Sequence, residues 1–176
     1  MKLILKKSSL VFKVSDLVRV GASNVICTNT TNPQYYWFLK LPSELEGVLK
    51  TLKMAFTTAG DLTIGLLSYV GDITEATSAQ LTSAIYSERT PYTVTSDELR
   101  TSGFNVVPNK FKEFSLELPL RKNSYILLKS STNMAMATTS EENGITYYRT
   151  SGSSWDTPSA IDTIVIAEAV VKKSAV

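Results

Sequence analysis

The side chains that enzymes most often use for acid–base and nucleophilic chemistry are scarce in this sequence of 176 residues. Histidine is absent, which excludes Ser-His-Asp triads, Cys-His pairs and histidine-liganded zinc. Cys27 is the only cysteine, so neither an intrachain disulfide nor a thiolate zinc cage can form. Because Cys27 lies between Ile26 and Thr28, we interpret it as a small buried apolar side chain, with a reactive thiol as the alternative.

Paired carboxylates are the remaining means of catalysis, since two of them can hydrolyse a glycosidic bond. The candidates are Glu141, Glu142, Asp61, Asp72, Asp156 and Asp162. No spacing brings two of them around one site, and residues 141–144 (Glu-Glu-Asn-Gly) are more typical of a solvated turn. Calcium-loop and glycine-rich phosphate-loop patterns are also missing. The sequence therefore predicts a non-enzymatic protein with no catalytic residues, cofactor or metal.

Aromatic clusters are the other candidates for a binding site, because aromatic faces pack on sugar rings. Residues 35–38 (Tyr-Tyr-Trp-Phe) lie on a predicted strand, where neighbouring side chains point to opposite faces, so Trp37 and Phe38 favour core positions. Trp155 lies in a polar loop, either as an anchor packed on the sheet or as a contact to a partner. The candidate partner or glycan contacts are Tyr147, Tyr148, Arg149 and Trp155.

Charge and hydropathy limit the partners further. The formal net charge is +2, so no basic surface for nucleic acid is expected. No apolar run is long enough for a membrane helix, and residues 1–7 lack a signal-peptide core, so we expect production without Sec export.

Apolar residues alternate with polar ones over much of the chain, and this pattern predicts strands. Residues 114–120 form the clearest case, with Pro119 on the outer face as the mark of an edge. A turn at residues 121–123 and a strand at 124–129 follow, with Ile126 and Leu128 inward. Residues 48–56, with Val48 inward, and residues 62–69 are predicted to form a hairpin. Further strands are predicted at residues 3–5, 10–14, 17–20, 25–27, 34–41, 145–150 and 162–171. The last of them is apolar on both faces, so we expect it to be central or to be covered by a neighbour.

Helical patterns are few. Residues 72–86 fit a capped helix, although residues 81–86 fit a strand equally well, and residues 96–103 fit a single capped turn. Residues 43–46 are interpreted as a turn. The fold class predicted is all-β: an antiparallel β-sandwich of jelly-roll type with a short N-terminal strand segment. A polar loop at residues 28–33 divides an N-terminal attachment segment, residues 1–30, from a sandwich domain, residues 31–176.

The N-terminal segment interleaves cations with apolar residues. A membrane or nucleic-acid patch is one reading of this pattern, but an arm or added strand that pairs with a neighbouring subunit is simpler. The residues predicted to make this assembly contact are Leu3, Leu5, Val11 and Phe12.

The opening residues 1–12 (MKLILKKSSLVF) resemble the start of structural proteins from tailed phages of gut Bacteroidetes, including the crAss-like group. Residues 59–65, 114–120 and 123–126 resemble a jelly roll of the carbohydrate-binding or fibre type. The resemblance implies a virion protein, assembled in the bacterial cytoplasm as a capsid-decorating or head-fibre subunit. Its partners would be the major capsid protein or fibre subunits, with homo-oligomers expected. A carbohydrate-binding module that recognises surface glycans is the alternative.

Overall fold

The computed structural model describes residues 17–21, 29–30, 34–99, 111–139, 146–150, 158–160, 164–165 and 167–174. The strands within these ranges are β1 (Leu17–Gly21), β2 (Asn29–Thr30), β3 (Gln34–Lys40), β4 (Gly47–Met54), β5 (Gly60–Ser68), β6 (Ile85–Val94), β7 (Lys112–Leu120), β8 (Ser124–Met134), β9 (Ala137–Thr139), β10 (Thr146–Arg149), β11 (Ser159–Ala160), β12 (Ile164–Val165) and β13 (Ala167–Lys173). The helices are α1 (Ser78–Ala84) and two 3-10 helices, Ile73–Glu75 and Ser96–Glu98.

Two antiparallel sheets form the body of the protein. The four-stranded sheet has the order β1-β13-β4-β7, and the six-stranded sheet has the order β11-β10-β3-β8-β5-β6. A small third sheet has the order β12-β9-β2. The main strands in chain order are β1, β3, β4, β5, β6, β7, β8 and β13. If these eight strands are numbered 1 to 8, the four-stranded sheet has the order 1-8-3-6. The six-stranded sheet has the order 2-7-4-5, with β10 and β11 added beside strand 2. This is the strand order of a jelly roll. The predicted all-β antiparallel sandwich is confirmed.

Strand β7 shows how alternation builds the core between the sheets. Its side chains are buried and exposed in strict turn, so that Phe114, Leu116 and Leu118 face the other sheet. Pro119 is exposed, and β7 is the edge of its sheet, as the sequence predicted. A proline is tolerated at an edge because no neighbour needs its missing N–H.

The predicted hairpin of residues 48–56 with 62–69 is wrong. Strand β4 lies in the four-stranded sheet and β5 in the six-stranded sheet, so the connection crosses the core. Phe56 is buried in this crossing and packs edge-to-face on Phe114, with ring centroids 6.1 Å apart. The prediction that Val48 faces the core is also wrong, because Leu49 is the buried residue there. A bulge at Lys50 then brings the rest of β4 back to the predicted alternation of buried and exposed side chains. Alternation identifies a strand and its buried face, but not its neighbour.

Strand β3 is buried on both faces, as predicted. Trp37 and Leu39 pack between the two sheets. Phe38 points to the opposite face, where the first 3-10 helix and α1 cover a second hydrophobic group that we call the outer cluster. Its buried members are Phe38, Leu67, Ile73, Ala76, Leu81, Tyr125 and Leu127. The single strand predicted at residues 162–171 is divided between β12, in the small third sheet, and β13. The predicted central position is confirmed for β13, which lies between β1 and β4.

The predicted helix at residues 72–86 is divided among three elements. Asp72 caps the first 3-10 helix, Thr77 caps α1 in a capping box with Gln80, and β6 begins at Ile85. The predicted turns at residues 43–46 and 121–123 are present. A 3-10 turn at Ser96–Glu98 matches the capped turn predicted there.

The described strands of the N-terminal segment are β1, which belongs to the four-stranded sheet, and β2, which belongs to the small third sheet. Strand β1 pairs along its length with β13, from Leu17 opposite Lys172 to Gly21 opposite Glu168. The predicted assembly residues Leu3, Leu5, Val11 and Phe12 lie outside the described residues, as do the strands predicted at residues 3–5, 10–14 and 25–27.

Candidate functional site

A cleft of about 360 Å³ opens beside the outer cluster, where three loops of the sandwich meet. The loops follow β3, follow β5, and join β7 to β8. The residues that line the cleft are Lys40, Leu41, Pro42, Ser43, Tyr69, Val70, Gly71, Asn123 and Tyr125. The lining therefore combines aromatic rings with a cation, an amide and hydroxyl groups.

Backbone hydrogen bonds hold the three loops together. The Asn123 N–H donates to the Ser43 carbonyl at 2.9 Å, and the Tyr69 N–H donates to the Asn123 carbonyl at 3.1 Å. Asn123 can bridge both loops because it adopts a left-handed conformation, with φ of 55°. Asparagine tolerates this region better than most residues. The walls of the cleft are thus set by the turn residue between β7 and β8.

The loop after β5 is fixed by two further features. Gly71 has φ of 124°, which side chains rarely allow. Asp72 follows it and accepts hydrogen bonds from the Thr74 N–H at 2.9 Å and the Thr74 hydroxyl at 2.7 Å. Ile73 then anchors the loop by burial in the outer cluster. The carboxylate of Asp72 is therefore held beside the cleft by a structured turn.

The charges at the cleft are a carboxylate and an ammonium group near neutral tyrosines. The hydroxyl and N–H of Thr74 lower the pKa of Asp72, and the charge of Lys40 lowers it further. Burial raises the pKa of Tyr125 to about 12, with smaller contributions from Tyr148, Asp72 and Tyr69. At neutral pH, Asp72 is an acceptor and Tyr125 keeps its proton.

The Tyr125 side chain is 2% exposed, and its ring packs edge-to-face on Tyr148 at a centroid distance of 6.1 Å. Among the described residues, its hydroxyl has no hydrogen-bond partner. The hydroxyl oxygen is not fully buried, in contrast to that of Thr150, so at the lining of the cleft it is open to a ligand or to water. The arrangement can bind through hydrogen bonds and aromatic packing.

The structure brings one of the four predicted contact residues to this region. Tyr148 lies on β10 opposite Phe38 and packs against the outer cluster. Tyr147 and Arg149 belong to the same strand, but their side chains are outside the description, and Trp155 lies outside the described residues altogether. Sequence reasoning missed Tyr69 and Tyr125, which come at or just after the ends of strands. The position of both tyrosines at or next to the end of a predicted strand was the sequence feature that could have indicated a site at this end of the sheet.

The part of the chain that the structure describes contains no candidate metal site and no candidate membrane-spanning helix. No group of three or more histidine, cysteine or acidic side chains there could hold a metal ion. The helices found there are too short or too polar to cross a membrane. No protein-family model, curated protein or solved structure matches the chain.

Proposed function

We propose that this protein is a structural subunit of a tailed-phage virion, either decorating the capsid or forming part of a head fibre. The jelly-roll strand order supports the proposal, because viral capsid domains use this architecture, as lectins also do. Fold alone does not decide function. The observation that carries the proposal is the unequal protection of the sheet edges on the two sides of the sandwich.

On one side, both edge strands carry features that oppose strand addition. Strand β6 contains Pro91 at a register shift between Leu62 and Ile64 of its partner β5. Strand β7 contains Pro119 and a second register shift, where Glu117 has φ of 78°. Prolines, bulges and charges at an edge prevent sheets from pairing between molecules.

On the other side, β1 is a regular edge strand without proline. Within the described chain it pairs only with β13, and Leu17 is 54% exposed. An edge of this kind accepts a further strand readily. It lies in the same N-terminal segment as the residues predicted to make the assembly contact, which are Leu3, Leu5, Val11 and Phe12. We assign the contact with capsid protein, fibre subunits or further copies of this chain to this side.

Mass spectrometry of purified phage particles from the source of this sequence tests the assignment. The chain is expected in many copies per particle. Its absence from the particles would overturn the proposal.

A charge at the open edge provides a second test. Leu17→Lys is expected to weaken binding of the full chain to particles that lack it, because the lysine would enter the added-strand interface. Val70→Lys is the matched control, since Val70 is 79% exposed but lies in the loop after β5. Pull-down with such particles, followed by quantitative mass spectrometry, compares both variants with the native chain. Equal binding by all three would place the contact elsewhere and refute the role of β1.

A further inference from the structure

We propose that the cleft between the loops after β3, after β5 and before β8 binds a neutral saccharide of one or two rings. The groups assigned to the sugar hydroxyls are those of Lys40, Asp72, Asn123 and Tyr125. Tyr69 and Val70 are assigned to its apolar face.

The polar groups suit a polyol better than an ion. A sugar hydroxyl both donates and accepts, and the cleft offers donors at Lys40 and both functions at Asn123. Asp72, which follows the lining residue Gly71, adds an acceptor beside the cleft. The positive charge of Lys40 and the negative charge of Asp72 lie close enough for Lys40 to influence the ionisation of the carboxylate. The nearby carboxylate offsets part of the attraction of Lys40 for a phosphate or a carboxylate ligand.

The apolar groups supply the other half of sugar recognition. Tyr69 is partly exposed, and Val70 is one of the two large hydrophobic residues most exposed in the described chain. An exposed valine beside a tyrosine ring presents apolar surface to the C–H face of a ring. The same cleft therefore holds apolar surface and convergent polar groups, which is the usual composition of a small-ligand site.

The hydroxyl of Tyr125 points to a specific contact. It has no hydrogen-bond partner among the described residues although its side chain is almost entirely buried. A sugar hydroxyl in the cleft would supply the missing partner. The hydroxyl oxygen itself is open to the cleft, unlike the buried and unpaired hydroxyl of Thr150, so a ligand can reach it.

The size and rigidity of the cleft also suit the binding of a saccharide of one or two rings. Its volume of about 360 Å³ lies at the lower end of the roughly 300–1,000 Å³ common for small-ligand pockets. The hydrogen bonds from Asn123 to Ser43 and from Tyr69 to Asn123 hold the loops before any ligand arrives. Binding then costs little loop ordering.

Nuclear magnetic resonance of the full chain tests the proposal with glucose, galactose, mannose, fucose, N-acetylglucosamine and their disaccharides at millimolar concentrations. At least one is expected to shift the backbone amide signals of Tyr69, Gly71 and Asn123 selectively. Tyr125→Phe and Lys40→Ala are each expected to weaken that binding by about tenfold, because each removes one hydrogen bond made only with the ligand.

Tyr92→Phe is the matched control, because it removes a hydroxyl at the opposite end of the same sheet, where Tyr92 pairs with Leu62. It should leave the affinity unchanged. Tyr125→Phe should keep the unfolding temperature of the native protein, since the hydroxyl has no partner in the described chain to lose. If no saccharide of the panel shifts cleft amides, or if both cleft variants bind as the native chain does, the proposal is refuted. Neither result depends on whether the protein occurs in a virion.

Discussion

At the scale of single residues, Tyr86, Arg121 and Ser124 form a connected polar group at the turn before β8. The Tyr86 hydroxyl lies 2.7 Å from the Ser124 hydroxyl and accepts from the Arg121 N–H at 3.1 Å. The Ser124 hydroxyl donates to the Arg121 carbonyl at 2.5 Å, and the Arg121 guanidinium covers the Tyr86 ring. Together these contacts hold the turn that carries Asn123.

Tyr86→Phe is therefore expected to lower the free energy of unfolding by about 1–3 kcal/mol, because it leaves the buried Ser124 hydroxyl with one partner fewer. Urea denaturation measures the loss. Tyr92→Phe is the control: its ring packs on Phe114 at 5.4 Å, and the substitution keeps that contact. An equal loss in both variants would show that the hydroxyl network contributes nothing of its own.

The ionisation of Tyr125 gives a prediction about pH. Burial raises its pKa to about 12 in the folded protein, above the ordinary value of 10.0, so the folded state holds this proton more tightly than the unfolded state. The stability from this group is complete below pH 10 and is lost as the pH rises towards 12. Tyr125→Phe should reduce the fall in unfolding temperature over this window, and absorbance titration should lose one late tyrosine. If the late step survives the substitution, it belongs to another tyrosine.

At the scale of elements, the bulge between β4 and β7 is a feature that alternation did not predict. Glu117 adopts φ of 78° opposite Lys50, whose ammonium contacts both carboxylate oxygens at 2.6 and 2.7 Å. Burial along β7 still alternates, so the hydrophobic pattern contains no sign of the inserted residue. The sequence of the partner strand does contain a sign of the bulge, because Lys50 interrupts the apolar face of β4.

Left-handed backbone is costly for residues with a Cβ, so Glu117→Gly should be more stable than Glu117→Ala by about 1–2 kcal/mol. Both variants lose the same exposed ion pair, which leaves the backbone as the difference. Ser115→Gly and Ser115→Ala form the control pair at an exposed position of the same strand, where alanine should be the more stable. Urea denaturation compares all four. Alanine as stable as glycine at position 117 would argue against a strained bulge.

At the scale of the whole molecule, the sheets join strands that are far apart in the chain. β1 pairs with β13, β3 with β8, and β4 with both β7 and β13. The chain loses conformational entropy when long loops close, and it does so before the strand contacts can stabilise the fold. Folding is therefore slow.

We therefore expect the protein to refold in milliseconds to seconds, as all-β sandwiches do, and not in microseconds. Stopped-flow tryptophan fluorescence can follow this, because Trp37 is buried between the sheets. Dilution from urea at several protein concentrations separates folding from association. A dominant microsecond phase with full native amplitude would contradict the jelly-roll topology.

Local patterns in the sequence indicated most of the main strands, although not the full length of β6, together with many of the buried faces and several turns. Trp37 and Phe38 had to point to opposite faces because they are neighbours on a strand. Tertiary structure alone decided which strands became neighbours, because hydrogen-bond pairing between β1 and β13 or β3 and β8 leaves no local signal. The same limit applies to the cleft: Lys40, Tyr69, Asp72 and Tyr125 come together only when three loops meet at one end of the sandwich. Periodicity reports how a side chain is oriented on its own strand, and only packing sets what lies across from it.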